Sequence, residues 1–198
     1  MPVGNHTLEG RAVIPIVIVL VLLVVVFVVL YNKLVRLRNR ADEAWAQIDV
    51  QLRRRYDLIP NLVETVKGYA AHEKTTLDAV TQARGAAQSL SAAGASPANI
   101  AQAEGTLTTA LRGLLAVSEA YPDLKANQNF MQLSEQLTTT ENQIGFARQH
   151  YNDSVRQLNT AVETIPTSFV AGIARASKRD YFELDPTDPS RNPVQVQF

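Results

Sequence analysis

Cysteine is absent from the 198 residues. Its absence excludes disulfide frameworks, thiolate nucleophiles, cysteine-based zinc and iron–sulfur sites, and a lipidated N-terminal cysteine. Histidine is scarce: His6, His72 and His150 stand far apart, which argues against a His-rich metal site. Neither sign of charge is in excess, since Lys plus Arg and Asp plus Glu both number 19. That balance argues against a globally basic nucleic-acid binder and against an acidic disordered tail protein. Catalytic signatures are missing too. His72-Glu73 opens an H-E-x-x-H pattern, but position 76 is Thr76. The Glu-x-x-His of di-iron bundles fails twice, because Tyr69 and Ala147 stand where the glutamates belong. A P-loop, a dinucleotide fingerprint and a nucleophile elbow are all lacking. The chain is therefore expected not to be an enzyme, and no cofactor, metal or nucleic acid is assigned to it.

Hydrophobic residues make up 46% of the chain, unevenly spread. Val13 to Leu30 reads VIPIVIVLVLLVVVFVVL, and nothing from Ala12 to Tyr31 is charged. These 18 residues, at about 1.5 Å each, span roughly 27 Å, close to a bilayer's hydrocarbon core. Lipid offers the backbone no hydrogen bonds, so a lone spanning segment must be helical. Pro15 is expected in the first turn, where its missing donor does little harm. A cleaved signal peptide would have a shorter apolar run and a small-residue cleavage site. Here the run leads instead into Tyr31-Asn32-Lys33-Leu34-Val35-Arg36, which reads as an uncleaved anchor with an interfacial Tyr31. Lys33, Arg36, Arg38 and Arg40 follow the run, whereas Arg11 alone precedes it. The basic side stays in the cytoplasm. The expected layout is an extracytoplasmic 1–11, a transmembrane helix 12–32, a cytoplasmic helical domain 33–178 and an extended tail 179–198.

Beyond residue 30 the apolar positions recur at spacings of three and four, so the fold class is all-α: one transmembrane helix followed by an antiparallel four-helix-type bundle. The first stretch is Leu34, Leu37, Ala41, Ala44, Ile48 and Leu52. The second runs from Ile59 to Leu90, the third from Ile100 to Val117, and the fourth from Phe130 to Ile165. Pro60, Pro97, Pro122 and Pro166 are placed at or near helix boundaries. Pro60 marks a tight corner with Asp57 as helix cap, the alternative being one long helix kinked there. Ser96 caps the third helix ahead of Pro97. Ser89 to Pro97 forms a linker and Ala120 to Ala126 a second turn. Ser168 to Ser177 forms a short helix before the tail, which ends on the alternating Val194, Val196 and Phe198.

The densest polar cluster is DVQLRRRYDLIPNLVE, Asp49 to Glu64. Asp49 and Arg53 are spaced to pair on one helix face. Arg53, Arg54 and Arg55 cannot share a face, since successive residues rotate by about 100°. One reading is solvated arginines at a helix corner, with Arg55 and Glu64 available to clamp it. The other is a docking site made by Arg54, Arg55, Asp57, Asn61 and Glu64. On an upright helix the arginines lie about 30–35 Å past the membrane, too far to touch headgroups across a Debye length of ~8 Å. Trp45 is assigned to the core, His72 to the surface, and Gly145 to a close helix approach.

Several runs carry a family resemblance. They are Tyr31-Asn32 with Leu34-Val35 and Leu37-Arg38-Asn39; Glu43-Ala44-Trp45; Ile48 to Leu52; Arg54 to Tyr69 with His72-Glu73; and Ala83-Arg84. They continue in Tyr121 to Asn127 with Phe130, Glu141-Asn142, Ala147-Arg148, Tyr151-Asn152 and Leu158-Asn159-Thr160. Together they resemble the LemA family of bacterial membrane proteins, over about residues 12 to 198. The resemblance implies one N-terminal transmembrane helix and an antiparallel bundle. It supplies no catalytic residues, because the family's biochemical activity is not established. Some members carry a lipidation cysteine and some relatives are magnetosome-associated; neither property is transferred. The expected function is a membrane-anchored scaffold or protein-interaction module of the bacterial cell envelope. A sensor or adaptor for an envelope protease or signalling system is the alternative. The expected partners are the lipid bilayer and either another protein or a second copy of the chain.

Overall fold

The computed structural model describes residues 6–183, with side chains from Ile14 onward. The expected extracytoplasmic end beyond residue 6 and the alternating end of the tail lie outside the described residues. The chain is all-helical: a long apolar N-terminal helix is followed by packed antiparallel helices. In order these are α1 (His6–Tyr69), α2 (Lys74–Ala92), α3 (Pro97–Ala120), the single turn α4 (Pro122–Lys125), α5 (Gln128–Glu163) and the short α6 (Ser168–Ala171). They form two compact units.

The first unit comprises Met1–Ala41 and Arg156–Arg179. From Ile14 to Val29 its apolar side chains are exposed, so nothing among the described residues covers the candidate membrane span. Burial begins just beyond, at Leu34, Leu37 and Ala41, matched by Leu158 and Ala161 of α5 and by Val170, Ala171 and Ala174 around α6. Arg38 donates to the carbonyl of Ala174 at 3.2 Å. The side chain of Asn159 grips the backbone of Arg179 in both directions at 2.9 Å. Pro15 falls well inside α1 instead of in its first turn; an apolar surrounding favours continuing the helix, because it offers freed backbone groups no better partner. The short helix expected at Ser168 to Ser177 stops at Ala171, and the chain turns through Arg175 at φ 50°.

The second unit comprises Asp42–Val155 and Asp180–Phe198. Apolar stripes of α1 (Ile48, Leu52, Ile59, Leu62, Val66), α2 (Leu77, Val80, Ala83, Ala87), α3 (Ile100, Leu107, Leu111, Leu114) and α5 (Phe130, Leu137, Ile144, Tyr151) meet in its core. Trp45 stacks obliquely on Tyr151, with ring centres 5.2 Å apart, and meets Phe182 edge-on. The tail thus packs as far as it is described. The Tyr151 hydroxyl donates to the carbonyl of Asp180, and Asn152 bonds the backbone of Phe182. Ser96 caps α3 as expected, accepting from the Asn99 amide. Gly94, at φ 65°, takes the left-handed turn after α2. Gly145 has open space where a Cβ would stand, so it marks no close helix approach.

The expected corner at Pro60 does not exist. α1 passes through Pro60, and the chain turns at 70–73 instead, where the Glu73 amide donates to the carbonyl of Ala70. A mid-helix proline costs about 3 kcal/mol, partly because it cannot donate to the carbonyl four residues back. Here that carbonyl belongs to Tyr56, and it accepts the Nε of Arg84 from α2 at 2.7 Å. A hydrogen bond from a charged donor is worth roughly 1.5–3 kcal/mol, enough to offset much of the penalty. Asp57, one turn before Pro60, is therefore mid-helix and caps nothing. Two contacts close this end of the unit: Asn127 donates to the Tyr69 hydroxyl, and the Tyr121 hydroxyl donates to Glu73.

Arg84→Ala should lower stability by about 1–3 kcal/mol. In a Pro60→Ala background, where residue 60 regains its amide, the loss should shrink by at least half. Denaturation of the four proteins in detergent, followed by circular dichroism, measures this coupling. Equal losses in both backgrounds would show that Arg84 does not compensate for the proline.

Candidate interaction surface

The five residues proposed for docking divide by helix phase. Arg54, Asp57, Asn61 and Glu64 are spaced 3, 4 and 3 apart, and all are exposed on one stripe of α1. Gln47 and Val50 extend the same stripe backward. There it borders a groove of about 650 Å³ between α1 and α5, lined among others by Gln51, Gln143, Phe146 and His150. Val50 and Phe146 are 60% and 74% exposed beside it, and the side-chain oxygens of Gln51 and Gln143 are buried without partners. This stretch thus combines exposed apolar side chains, buried acceptors without partners and a polar stripe.

Arg55 goes the other way. It is 1% exposed and projects into the core, about 100° around the helix from Arg54. Its Nη1 meets Glu104 of α3 at 2.6 Å, and its Nη2 donates to Thr108 of α3 at 2.7 Å. Its Nε faces Glu141 of α5 at 2.8 Å. The Tyr56 hydroxyl donates to the other oxygen of Glu104. One guanidinium therefore joins three helices. Arg55 makes no clamp with Glu64, which pairs instead with Lys67 on the surface. The physical reason is the absent corner: in a continuous helix, residues 55 and 64 are nine positions apart and cannot meet.

Burial raises the carboxyls of Glu104 and Glu141 above the ordinary 4.5, and Arg55 opposes the shift in both. Burial and then the charge of Glu104 push the Tyr56 hydroxyl far above the usual phenol range, so it remains a neutral donor. The cluster is thus a fixed ionic hub, with no water-facing pocket of its own among the contacts described.

Sequence reasoning missed Glu104, Glu141, Thr108 and Arg84 as structural partners. The signal was present in the stripes. Glu104 falls between Ile100 and Leu107, Glu141 between Leu137 and Ile144, and Arg55 between Leu52 and Ile59, all at helical spacing. A charge inside an apolar stripe is buried, and a buried charge requires a partner.

Removing one partner of a buried ion pair costs about 3–5 kcal/mol, so Arg55→Ala should destabilise the chain by that amount. Arg54→Ala should change stability by less than ~0.5 kcal/mol. Chemical denaturation in detergent distinguishes the two. Carboxyls held above their ordinary value stabilise the fold below that value, and they lose the contribution as pH rises through the folded pKa. Stability should therefore fall as pH rises from 4.5 towards neutrality, and Glu141→Gln should flatten that slope. A steeper decline in the variant would contradict this assignment.

The LemA family model matches residues 44–198. Protein LemA of Metamycoplasma hominis is 28% identical over 141 residues, covering 71% of this chain and 63% of that protein. Magnetosome protein MamQ of Magnetospirillum gryphiswaldense is 24% identical over 179 residues, covering 79% of this chain and 65% of its own length. Magnetosome protein MamQ 2 of Paramagnetospirillum magneticum is 23% identical over the same span. The match thus extends over somewhat less than two thirds of the length of these curated relatives. With the family model matching most of its length, from Ala44 through the helices that hold the Arg55 hub, the chain belongs to the LemA family.

Proposed function

We propose that this chain is a membrane-anchored scaffold or protein-interaction module of the bacterial cell envelope, with the helices after the anchor on the cytoplasmic side. One observation carries the reading. A single helix, α1, begins with an exposed apolar run, contributes a stripe to the bundle core, and displays Gln47, Val50, Arg54, Asp57, Asn61 and Glu64 on its outer face. An anchor and a display surface in one chain suit a protein that holds a partner at the membrane. The four cations from Lys33 to Arg40 support the cytoplasmic orientation. The role is binding and not catalysis: the strongest charge cluster is locked in the core, and the exposed stripe offers no paired nucleophile and base. The partner is a protein or a second copy of the chain, and nucleic acid is not part of this reading. The magnetosome names belong to the relatives that bear them, and no such role is carried over.

The test is crosslinking in cells. A photoreactive amino acid at position 54 or 61 should yield a discrete adduct with one protein or with a second copy of the chain, and Asp57→Arg should abolish it without altering the melting temperature. Adducts to lipid alone, or the same adducts from both the stripe and an exposed site such as Gln149, would overturn the proposal.

A further inference from the structure

The segment after α5 has an inverted surface. Backbone bonds from Ser168 to Thr164, and from Ala174 to Val170, wind residues 164–174 into roughly helical turns around α6. The inward positions are Thr167, Val170, Ala171 and Ala174, all buried. The outward positions on such a turn should be polar. Instead Ile165 and Phe169 are each 76% exposed and Ile173 is 63% exposed. Among the described residues outside the apolar run, Ile165 and Phe169 are the most exposed large apolar side chains.

Their position within the first unit indicates what covers them. The apolar run of α1 is uncovered, and burial on α1 begins at Leu34, so residues 156–179 pack against α1 between Leu34 and Ala41. The bond from Arg38 to the Ala174 carbonyl fixes the level. Leu34 and Arg38 lie four and eight residues past Leu30, which is about 6 Å and 12 Å along the helix. The headgroup layer on each side of a hydrocarbon core is roughly 5–8 Å thick, so Leu34 stands within it and Arg38 just past it. α5 runs antiparallel to α1, so its end at Glu163 is the end nearer the apolar run, and the segment bearing Ile165 starts there. Exposed cations stand at the same level of the first unit: Lys33, Arg36 and Arg40 on α1 and Arg175 on the segment itself, where Lys178 pairs with Glu163. Large exposed apolar side chains at the same level as exposed cations, next to an apolar run long enough to span a membrane, match the chemistry of a lipid interface with anionic headgroups.

We propose that Ile165, Phe169 and Ile173 form a second membrane contact, inserting into the interface beside the anchor while the neighbouring cations meet anionic headgroups. The inference rests on α1 being the membrane span. Two attachments would hold the helical region at a defined tilt and rotation about the span, which one helix cannot do. The three apolar side chains would also be withdrawn from water, which explains why they are tolerated on an otherwise polar surface.

The absence of cysteine allows clean labelling. Full-length chains carrying Phe169→Cys, Val24→Cys or Gln149→Cys, each with a nitroxide, are reconstituted into vesicles of phosphatidylcholine and phosphatidylglycerol at 3:1. Spin-relaxation accessibility to oxygen and to a nickel chelate is then measured. The label at 24 should be open to oxygen and closed to nickel, and the label at 149 the reverse. Position 169 should resemble 24, at a shallower depth, and should become nickel-accessible when phosphatidylglycerol is omitted or when Arg36 and Arg40 are changed to Gln. If 24 reads as buried in lipid and 169 reads as open to nickel, this inference falls and the anchor stands. If 24 itself is open to nickel, both fall. Protection of 169 from both reagents would indicate a protein contact and would equally overturn the proposal.

Discussion

The second unit depends on one buried cation. Arg55 carries a full charge into a core where an unpaired ion is prohibitively costly, so its neighbours have to supply the opposite charge from two other helices. Glu104 and Glu141 do so from α3 and α5, and Tyr56 and Thr108 satisfy remaining hydrogen-bonding positions. Apolar stripes alone tolerate sliding and rotation between helices, since leucine packs against leucine in many registers. An ionic hub with two directional hydrogen bonds to α3 and a charge contact to α5 tolerates far less. We regard register selection as its role, because buried ion pairs contribute little net stability relative to apolar replacements.

That constraint determines which side of α1 faces outward. With Arg55 turned into the core, helix geometry puts Arg54, Asp57, Asn61 and Glu64 on the opposite face. Adjacent arginines thus have separate surroundings, one joining the helices of the core and the other exposed on the surface. The proline belongs to the same arrangement. Pro60 would weaken α1 one turn beyond the hub, but Arg84 takes up the carbonyl that the proline leaves without a donor. α1 therefore remains one helix from its apolar run to Tyr69.

The helical class, the apolar run, the Ser96 cap and the boundaries of α3 and α5 were legible in the sequence, because each rests on local spacing or on a single capping side chain. The continuity of α1 was not. A proline following Asp57 satisfies every local rule for a helix start, and the contact that overrides those rules comes from Arg84, 28 residues from Tyr56. The hub was legible in part. Glu104, Glu141 and Arg55 each interrupt an apolar stripe, but spacing along one helix cannot say which interruptions meet. Ile165 read as the end of the fourth apolar stripe, and only the structure shows it exposed together with Phe169 and Ile173.

Hydrogen exchange tests the hub most directly. The full-length chain and its Arg55→Met variant, in matched detergent, are compared by exchange and mass spectrometry. The account predicts that protection falls together in three segments distant in sequence: α1 around residues 50–64, α3 around 100–111 and α5 around 137–148. A loss confined to the turn of α1 that bears residue 55, with α3 and α5 unchanged, would contradict it.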